Sequence, residues 1–422
     1  MLAQLPMFHR IGAAAYKADL GNTLELCELT NYPYRFYPTI HIAGTNGKGS
    51  VSHFLSSILQ EGEKKVGLYT SPHLRDFRER IKINGEMISE EYVIDFVEKY
   101  KDAFDRIEPS FFEMNVALAF SYFADEKVDI AIIETGMGGR LDSTNVINPL
   151  VSVITNIGYD HTQFLGDTLD KIAFEKAGII KPQVPVVIGQ SHPETHPVFR
   201  RQAAEMYAEI YFADEHVVLE NMLYSLDEKP LLSGKVIVDH KTYLEQVDSP
   251  LAGSYQPYNI ATTIQTARLL EEMGWPTHPE IVKKGIEKVV ENTGFSGRWQ
   301  MLKRNPLTIC DIGHNVDGIK EVVKQIRLTP HHQLHFVFGV VSDKDITGML
   351  HLLPKEAIYY FCKADLPRAL DAQKLKEMAS ELGLHGEAYA SVAEAKEAAS
   401  LNAKEHDLVF IGGSAFVVAE VV

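Results

Sequence analysis

The chain has 422 residues, of which 45% are hydrophobic, and it carries a formal net charge of −16 at pH 7. At about 150 residues per domain, this length predicts two or three domains, each large enough to bury a core. The acidic excess argues against a general binder of nucleic acid or of anionic membranes. An anionic ligand would therefore have to be bound by local basic groups and helix N-termini.

Cysteine usage and the first residues exclude further classes of protein. Cys27, Cys310 and Cys362 include no C-x-x-C pair and indicate neither a disulfide framework nor a zinc site. Residues 1–6 lack the charged-then-apolar pattern of a signal peptide. No apolar run approaches the roughly 18 residues that a membrane span requires. We therefore expect a reduced, cytoplasmic enzyme.

The predicted elements begin with a partly helical, amphipathic segment over residues 1–37 and an apolar strand from Ile40. A glycine-rich turn follows, with the sequence Gly44-Thr45-Asn46-Gly47-Lys48-Gly49-Ser50. Apolar residues then recur at three- and four-residue spacing from Val51 to Leu59, which predicts a helix with Gly62 as its stop.

This turn has the chemistry of a phosphate site. Glycines let several backbone N–H groups face one point, and the helix adds the positive end of its dipole. Lys48 can reach the β- and γ-phosphates, and Ser50 can ligate Mg2+. The match to G-x-x-x-x-G-K-[ST] is imperfect, because Gly44 and Gly47 are too close and Gly49 follows the lysine. Strand, turn and helix together favour an ATP site over glycines that serve only to bend the chain.

Two further loops follow predicted strands. A short strand over 66–70 leads into the polar, basic and aromatic segment 71–81, for which a solvated loop is an equally good explanation. A core strand over 128–133 ends at Glu134, and a carboxylate beside a phosphate loop can hold Mg2+ directly or through water. Ligands of open α/β sheets bind at the carboxyl ends of strands, so both loops are candidate site segments.

A histidine and a lysine come next. The strand over 151–156 leads to His161, whose place after a strand end favours a metal or phosphate role over a structural one. A helix then carries Lys176 on or beside its apolar stripe. One explanation is a lysine that extends its ammonium group to solvent. The other is a lysine with a lowered pKa, deprotonated often enough to react.

The rest of the chain predicts a small addition and a second α/β unit. Short alternating segments over 209–251 predict an antiparallel addition, and helices follow to about residue 290. Residues 291–297 are predicted to be a linker. The strands predicted beyond it alternate with helices, which indicates a parallel, doubly wound sheet. These strands are 307–311, 334–338, 358–361 and 408–411.

These residues together resemble the folylpolyglutamate synthase/dihydrofolate synthase family, within the Mur ligase superfamily. The resemblance extends over nearly the whole chain and rests on five motifs in the family's order. The motifs are Gly44-Thr45-Asn46-Gly47-Lys48-Gly49-Ser50, Thr70-Ser71-Pro72-His73, Asp142-Ser143-Thr144-Asn145, Glu175-Lys176-Ala177-Gly178-Ile179-Ile180-Lys181 and Asp311-x-Gly313-His314-Asn315.

The resemblance implies an α/β fold in two domains. Residues 1–293 would form a P-loop ATPase-like, ATP-binding domain with a mainly parallel sheet and the small antiparallel addition. Residues 294–422 would form a Rossmann-like glutamate-ligase domain. Closure of the two domains would protect a reactive acyl phosphate from water.

The implied activity is ATP-dependent addition of L-glutamate to dihydropteroate, to folates, or to both, through an acyl phosphate. We favour the bifunctional enzyme, with folylpolyglutamate synthesis alone as the alternative. The expected cofactors are ATP and two Mg2+ ions. The expected partners are small molecules (dihydropteroate or reduced folate, L-glutamate and ATP), without nucleic acid or membrane, and we expect a monomer.

The resemblance also implies roles for individual residues. The nucleotide would be bound by Gly44, Thr45, Asn46, Gly47, Lys48, Gly49, Ser50, Asn259, Arg298 and Asp311. The metal ligands would be Ser50, Ser71, Glu134, His161 and Lys176, the last of these as a carbamate. Substrate would contact Ser71, Pro72, His73 and Arg80. The catalytic residues would be Lys48, His161, Lys176 and His314.

Three other functions fit the sequence less well. A Mur-type ligase of peptidoglycan precursors usually has a UDP-sugar domain before the phosphate loop, and the 43 residues before Gly44 are too few for it. A nucleotide-dependent switch would bind ATP without glutamate-dependent ADP release, and would not need Asp311 and His314. A dehydrogenase rests only on Gly136-x-Gly138-Gly139, which is not a full G-x-G-x-x-G, and is set aside.

Overall fold

The computed structural model describes residues 19–226 and 229–422. The predictions for residues 1–18, a partly helical segment without a signal peptide, lie outside the described residues. The described chain divides into two compact units. Unit 1 comprises residues 19–223, Ser233–Ser249 and Gln256–Phe295. Unit 2 comprises residues 224–226, 229–232, Pro250–Tyr255 and Ser296–Val422.

Unit 1 is built around an eight-stranded sheet of described residues. Its strands are β1 Thr39–Ala43, β2 Val66–Tyr69, β3 Ile81–Ile83, β4 Glu86–Met87, β5 Ile130–Glu134, β6 Val151–Ile154, β7 Val186–Ile188 and β8 Ile210–Phe212. Their order is β4-β3-β2-β5-β1-β6-β7-β8, parallel from β2 to β8, with β3 and β4 added antiparallel at one edge.

The central strands β1 and β5 consist mainly of isoleucine and alanine. Every residue of β1 and β5 is buried, as expected for parallel strands covered on both faces. Buried apolar clusters lie on the two faces of this sheet, one including Ile42 and Val51 and another including Phe120 and Ile133. The predicted mainly parallel sheet is confirmed.

The helices of unit 1 include the one predicted after the phosphate loop and the one predicted to carry Lys176. They are α1 Gly21–Leu29, α2 Lys48–Glu61, α3 Glu90–Ile107, α4 Phe111–Asp125, α5 Thr162–Leu165, α6 Leu169–Ala177, α7 His196–Glu205, α8 Ala213–His216, α9 Gln256–Glu272, α10 Pro279–Glu287 and α11 Val289–Thr293. Local signals set their starts: Ser89 caps α3, and Ser110 with Glu113 forms a capping box at α4.

The predicted linker over 291–297 is wrong in its first three residues. Helix α11 continues to Thr293, and the side chain of Asn292 donates to Ser57 at 3.0 Å and to Glu61 at 3.0 Å. These bonds to α2 hold the segment in a helix, which its own polar composition did not indicate.

The antiparallel addition is a separate three-stranded sheet in chain order, β9 Val217–Ser225, β10 Leu231–Val238 and β11 Lys241–Ser249. Asp239 and His240 join β10 to β11 with φ of 47° and 63°. This is the conformation of a type I′ turn, which connects antiparallel strands. The addition begins later than predicted, because β8 pairs with β7 in the main sheet instead.

Unit 2 contains a six-stranded sheet in the order β12-β13-β17-β14-β15-β16. Its strands are β12 Gln300–Lys303, β13 Leu307–Asp311, β14 Leu334–Phe338, β15 Ile358–Phe361, β16 His385–Ala388 and β17 Leu408–Gly412. Its helices are α12 Val316–Leu328, α13 Ile346–Leu352, α14 Ala372–Glu381, α15 Val392–Asn402 and α16 Ala415–Ala419. All pairs are parallel except β12 with β13.

The four strands predicted for this unit are confirmed, and two others were missed. Strands β12 and β16 lie at the two edges of the sheet and are only partly buried. They therefore lack the apolar run by which the inner strands were recognised. No helix in residues 19–226 or 229–422 has the length and apolar character of a membrane span.

One close helix contact in unit 1 gives a stability prediction. Helices α2 and α10 approach so closely that a Cβ built on Gly285 would collide with the backbone of Ile58. The hydroxyl of Ser57 also donates to the Gly285 carbonyl at 2.6 Å. Gly285→Ala should lower the thermal unfolding midpoint, with a destabilisation of about 1–3 kcal/mol, because backbone cannot move aside as a side chain can.

Gly234→Ala is the matched control, because a Cβ at Gly234 meets its nearest atom at an ordinary 3.4 Å. This variant should unfold close to the wild-type midpoint. If Gly285→Ala were as stable as Gly234→Ala, the packing described for α2 and α10 would be incorrect.

Candidate active site

The phosphate loop lies between β1 and α2, where β5 flanks β1 on one side and β6 on the other. Gly47 has φ of 85°, a left-handed conformation that favours glycine, and α2 begins at the next residue, Lys48. The backbone N–H groups of Lys48, Gly49 and Ser50 therefore lie in the first turn of a helix. This is the predicted anion-binding position, at the positive end of the helix dipole.

The loop that follows β6 holds the phosphate loop in place. The backbone N–H of Thr45 donates to the Asn156 carbonyl at 3.0 Å, and that of Asn46 donates to Asn156 Oδ1 at 2.8 Å. The Thr155 hydroxyl donates to the Asn46 carbonyl at 2.5 Å, and Gly158 N donates to Thr45 Oγ1 at 3.0 Å. Hydrogen bonds within the protein thus hold the loop in this shape. Sequence reasoning did not single out Thr155 or Asn156.

Helix α9 covers the other side of the same loop. A Cβ on Gly47 would collide with Asn259 Oδ1, so glycine is needed for this approach as well as for its φ. Asn259 Nδ2 donates to Gln256 Oε1 at 2.9 Å, and Gln256 Nε2 donates to Ser50 Oγ at 3.3 Å. The structure therefore brings the predicted Ser50 and Asn259 together through Gln256, which the sequence reasoning missed.

Two predicted lysines share one acceptor. Lys48 Nζ donates to the Gly44 carbonyl at 3.1 Å, and Lys176 Nζ donates to the same oxygen at 2.8 Å. Lys176 is only 3% exposed. Burial, together with the charge of Lys48, lowers the pKa of Lys176 to about 7. A large fraction of Lys176 is therefore neutral near neutral pH, which favours the second of the two explanations for this residue.

Two of the predicted metal ligands are in contact. Glu134 is buried at the end of β5, opposite Ile42, and its Oε2 accepts from the backbone N–H of Ser71 at 3.2 Å. His161 has φ of 51°, and its ring Nε2 is 3.9 Å from Asp160 Oδ1. Over 19–226 and 229–422, no three His, Cys, Asp or Glu side chains are grouped so as to hold a metal ion. A metal site here would need other oxygen ligands.

The segment after β2 is a hydrogen-bonded turn in which most side chains are only partly buried. Glu79 accepts from the backbone N–H groups of Leu74, at 2.7 Å, and of Arg75, at 2.9 Å. Arg80 is buried, its Nε donates to His73 Nδ1 at 2.8 Å, and its guanidinium lies 5.5 Å from the ring centre of Phe111. The predicted substrate residues His73 and Arg80 are therefore in contact with each other. Ser71, at the start of the segment, donates its backbone N–H to Glu134, and the next residue, Pro72, is exposed.

The predicted residues of unit 2 cluster at the end of β13. Asp311 is 2% exposed, and its Oδ2 accepts from the backbone N–H of Trp299 at 2.8 Å and from the Tyr255 hydroxyl at 2.6 Å. Its Oδ1 accepts from Gly313 N at 2.8 Å. His314 Nδ1 donates to the Ile312 carbonyl at 2.9 Å, which fixes the ring. Arg298 directly precedes Trp299. Neither Tyr255 nor Trp299 was predicted.

Two known domain families match this chain. Residues 42–267 match the Mur ligase middle domain, and residues 297–415 match the Mur ligase, glutamate ligase domain.

Individual proteins are similar to this one over most of the chain. The dihydrofolate synthase/folylpolyglutamate synthase of Bacillus subtilis is 35% identical, over 87% of this chain and 85% of that protein. The folylpolyglutamate synthase of Lacticaseibacillus casei is 31% identical, over 86% and 85%. The structure of E. coli FolC in complex with DHPP and ADP matches with a TM-score of 0.85 and 29% identity, over 100% of this chain and 94% of that one. The chain therefore belongs to the dihydrofolate synthase/folylpolyglutamate synthase family of Mur ligases.

Proposed function

We propose that this protein joins L-glutamate both to dihydropteroate and to reduced folates, with ATP as the source of energy. The observation that carries the proposal is the hydrogen-bonded phosphate loop with Lys48, Ser50 and Asn259, in a chain similar over 87% of its length to the Bacillus subtilis relative named for both activities. Folylpolyglutamate synthesis alone is the second candidate, because the Lacticaseibacillus casei relative is named for that activity. We assign ATP binding to residues 1–293 and the glutamate-ligase domain to residues 294–422.

The proposed reaction begins with phosphoryl transfer. A carboxylate is a poor acyl donor, so a carboxylate oxygen of the pteroate or folate forms a bond to the γ-phosphorus of ATP, and ADP leaves. In this proposal Lys48 and the N–H groups of the phosphate loop offset the charge on the transferring group. Asn259 helps to hold the nucleotide, and Arg298 and Asp311 supply the contacts of unit 2.

The second step forms the amide. The uncharged amine of L-glutamate attacks the acyl carbon, the C–O bond to phosphate breaks, and the amine loses a proton. We propose that the side chains of His161 and His314 lie next to the reacting atoms. Ser71, Pro72, His73 and Arg80 are proposed to line the pterin substrate, with Arg80 held in place by His73.

The residues present fit Mg2+ in part. Mg2+ is usually bound by one or two carboxylates together with substrate phosphates and water, so Glu134 and Ser50 suit a first ion even without a cluster of acidic side chains. When bound, Mg2+ would offset the negative charge of the phosphates. An ammonium group on Lys176 does not suit a cation site, because it would repel a second ion.

Carbamylation of Lys176 would remove that conflict. The neutral amine forms an N–C bond with CO2, and one amine proton is released to solvent, which leaves an anionic carbamate. The lowered pKa of Lys176, about 7, supports this proposal because it supplies the neutral amine that the reaction requires. The carbamate, with His161, would then be available for a second Mg2+.

The proposed activity can be tested directly with purified protein, ATP, Mg2+ and L-glutamate. We expect a product one glutamate heavier with dihydropteroate and also with tetrahydrofolate, identified by mass, and ADP release that depends on glutamate. A product from tetrahydrofolate alone would support the second candidate. ADP release that does not depend on glutamate, without any glutamate-containing product, would overturn both candidate functions.

Replacement of Lys176 tests the carbamate. Lys176→Ala should abolish glutamate ligation, and added short carboxylates should restore part of it. In wild-type protein supplied with 13CO2, a carbamate signal should be visible by NMR. The signal should increase from about pH 6 to about pH 8, because the neutral amine is formed as pH rises through the pKa of about 7.

Lys171→Ala is the control, because Lys171 is an exposed lysine on the same helix, α6, paired with Asp167. This variant should keep both the activity and the carbamate signal. A carbamate signal of unchanged intensity in Lys176→Ala would show that the modified amine lies elsewhere.

Replacement of Arg298 tests its assignment to the transferring phosphate. Arg298→Ala should lower kcat by about 10²–10³-fold, as when one donor to developing charge is removed, and should change the Kd for ATP far less. Stopped-flow or steady-state kinetics and calorimetry measure the two quantities. Arg304→Ala, an exposed arginine of the same unit, should leave both unchanged. Wild-type kcat in Arg298→Ala would refute the assignment.

A further inference from the structure

Tyr255 has no role in the proposed function, yet its hydroxyl makes a short hydrogen bond to Asp311, a residue proposed to contact the nucleotide. It donates to Asp311 Oδ2 at 2.6 Å, across 56 residues of sequence. A Cβ on Gly253 would come within 2.6 Å of the Tyr255 ring, so glycine at this position lets the ring lie against the preceding backbone. The neighbouring Ser254 donates to Glu321 of α12 at 3.0 Å, which holds the same segment to unit 2 a second time.

The Asp311 carboxylate is oriented by these donors. A carboxylate has about four acceptor positions, and Trp299 N, Gly313 N and the Tyr255 hydroxyl occupy three of them. Trp299 and Gly313 belong to the continuous stretch around β13, whereas Tyr255 comes from the separate segment Pro250–Tyr255. Burial raises the pKa of Tyr255 well above its ordinary value, so the hydroxyl remains a donor over the working range of pH.

The next residue in the chain has the corresponding task in unit 1. Gln256 is fully buried, donates to Ser50 Oγ at 3.3 Å and accepts from Asn259 Nδ2 at 2.9 Å. It therefore holds two residues assigned to the nucleotide. Tyr255 and Gln256 are consecutive, with Cα atoms about 3.8 Å apart as in any trans peptide. One peptide bond thus joins the residue that binds Asp311 to the residue that binds Ser50.

We propose that Tyr255 is a positioning residue, whose hydroxyl holds the Asp311 carboxylate in the orientation in which Asp311 contacts ATP. The proposal rests on the proposed function, since it requires Asp311 to contact ATP. Tyr255 itself does not need to touch the nucleotide.

Tyr255→Phe tests this positioning role, because it removes the hydroxyl that donates to Asp311 and keeps the ring. Loss of a hydrogen bond to a carboxylate should lower kcat roughly tenfold, while the Kd for ATP, set mainly by the phosphate loop, stays within about twofold. Tyr258→Phe is the matched control, since Tyr258 is an exposed tyrosine on α9, and it should retain wild-type kcat.

A double variant tests whether Tyr255 acts through Asp311. In an Asp311→Ala background, Tyr255→Phe should change kcat by less than about twofold, because its partner is already absent. The same tenfold loss in that background would overturn the proposal. So would a wild-type kcat in Tyr255→Phe, or a loss of activity explained entirely by a lower thermal unfolding midpoint.

The wild-type assay separates this proposal from the proposed function. A wild-type protein that forms no glutamate adduct would overturn both. An active wild type whose kcat is matched by Tyr255→Phe would overturn only the role of Tyr255.

Discussion

The carbonyl oxygen of Gly44 accepts from two lysine side chains, and the chemistry of unit 1 depends on this shared acceptor. Lys48 and Lys176 approach it at 3.1 Å and 2.8 Å, so two potential positive charges meet at the start of the phosphate loop. Burial of Lys176 makes the pair unequal and lowers the pKa of that lysine to about 7. In a chain with a net charge of −16, Lys48 and the N-terminus of α2 provide the local region suited to phosphate. The same inequality leaves a large fraction of Lys176 neutral, which is the form that the proposed carbamylation requires.

The shared acceptor stays in place because the loop is held from two directions. Thr155 and Asn156, after β6, bind the backbone of residues 45 and 46, and Gln256 and Asn259 of α9 cover Ser50 and Gly47. Binding of a nucleotide to such a loop requires little ordering of the chain, so less binding energy is lost. Donors held in this way by the protein itself would suit the proposed phosphoryl transfer, since donors with a fixed orientation stabilise a transition state most.

The elements that could be predicted from the sequence are those with a pattern in a few neighbouring residues. The glycine-rich turn, the strands β1, β2, β5 and β6 and the inner strands of the second unit were predicted, because glycine turns and apolar runs are visible over a few residues. Lys176 was singled out by its helical spacing, whereas the inner strand β3 was missed. The supporting residues could not be found in this way. Gln256 and Ser50 are separated by 206 residues and Tyr255 and Asp311 by 56, so only the folded chain pairs them. The edge strand β12 and the helix within the predicted linker were missed for the related reason that tertiary contacts, rather than their own composition, define them.

Unit 2 is not a continuous piece of chain, since Pro250–Tyr255 belongs to it while the residues on both sides belong to unit 1. An exchange of residues 296–422 with those of a relative would therefore pair Tyr255 of one parent with whichever residue the other parent has at position 311. A chimera that is to keep this hydrogen bond from one parent must take Pro250–Tyr255 together with Ser296–Val422.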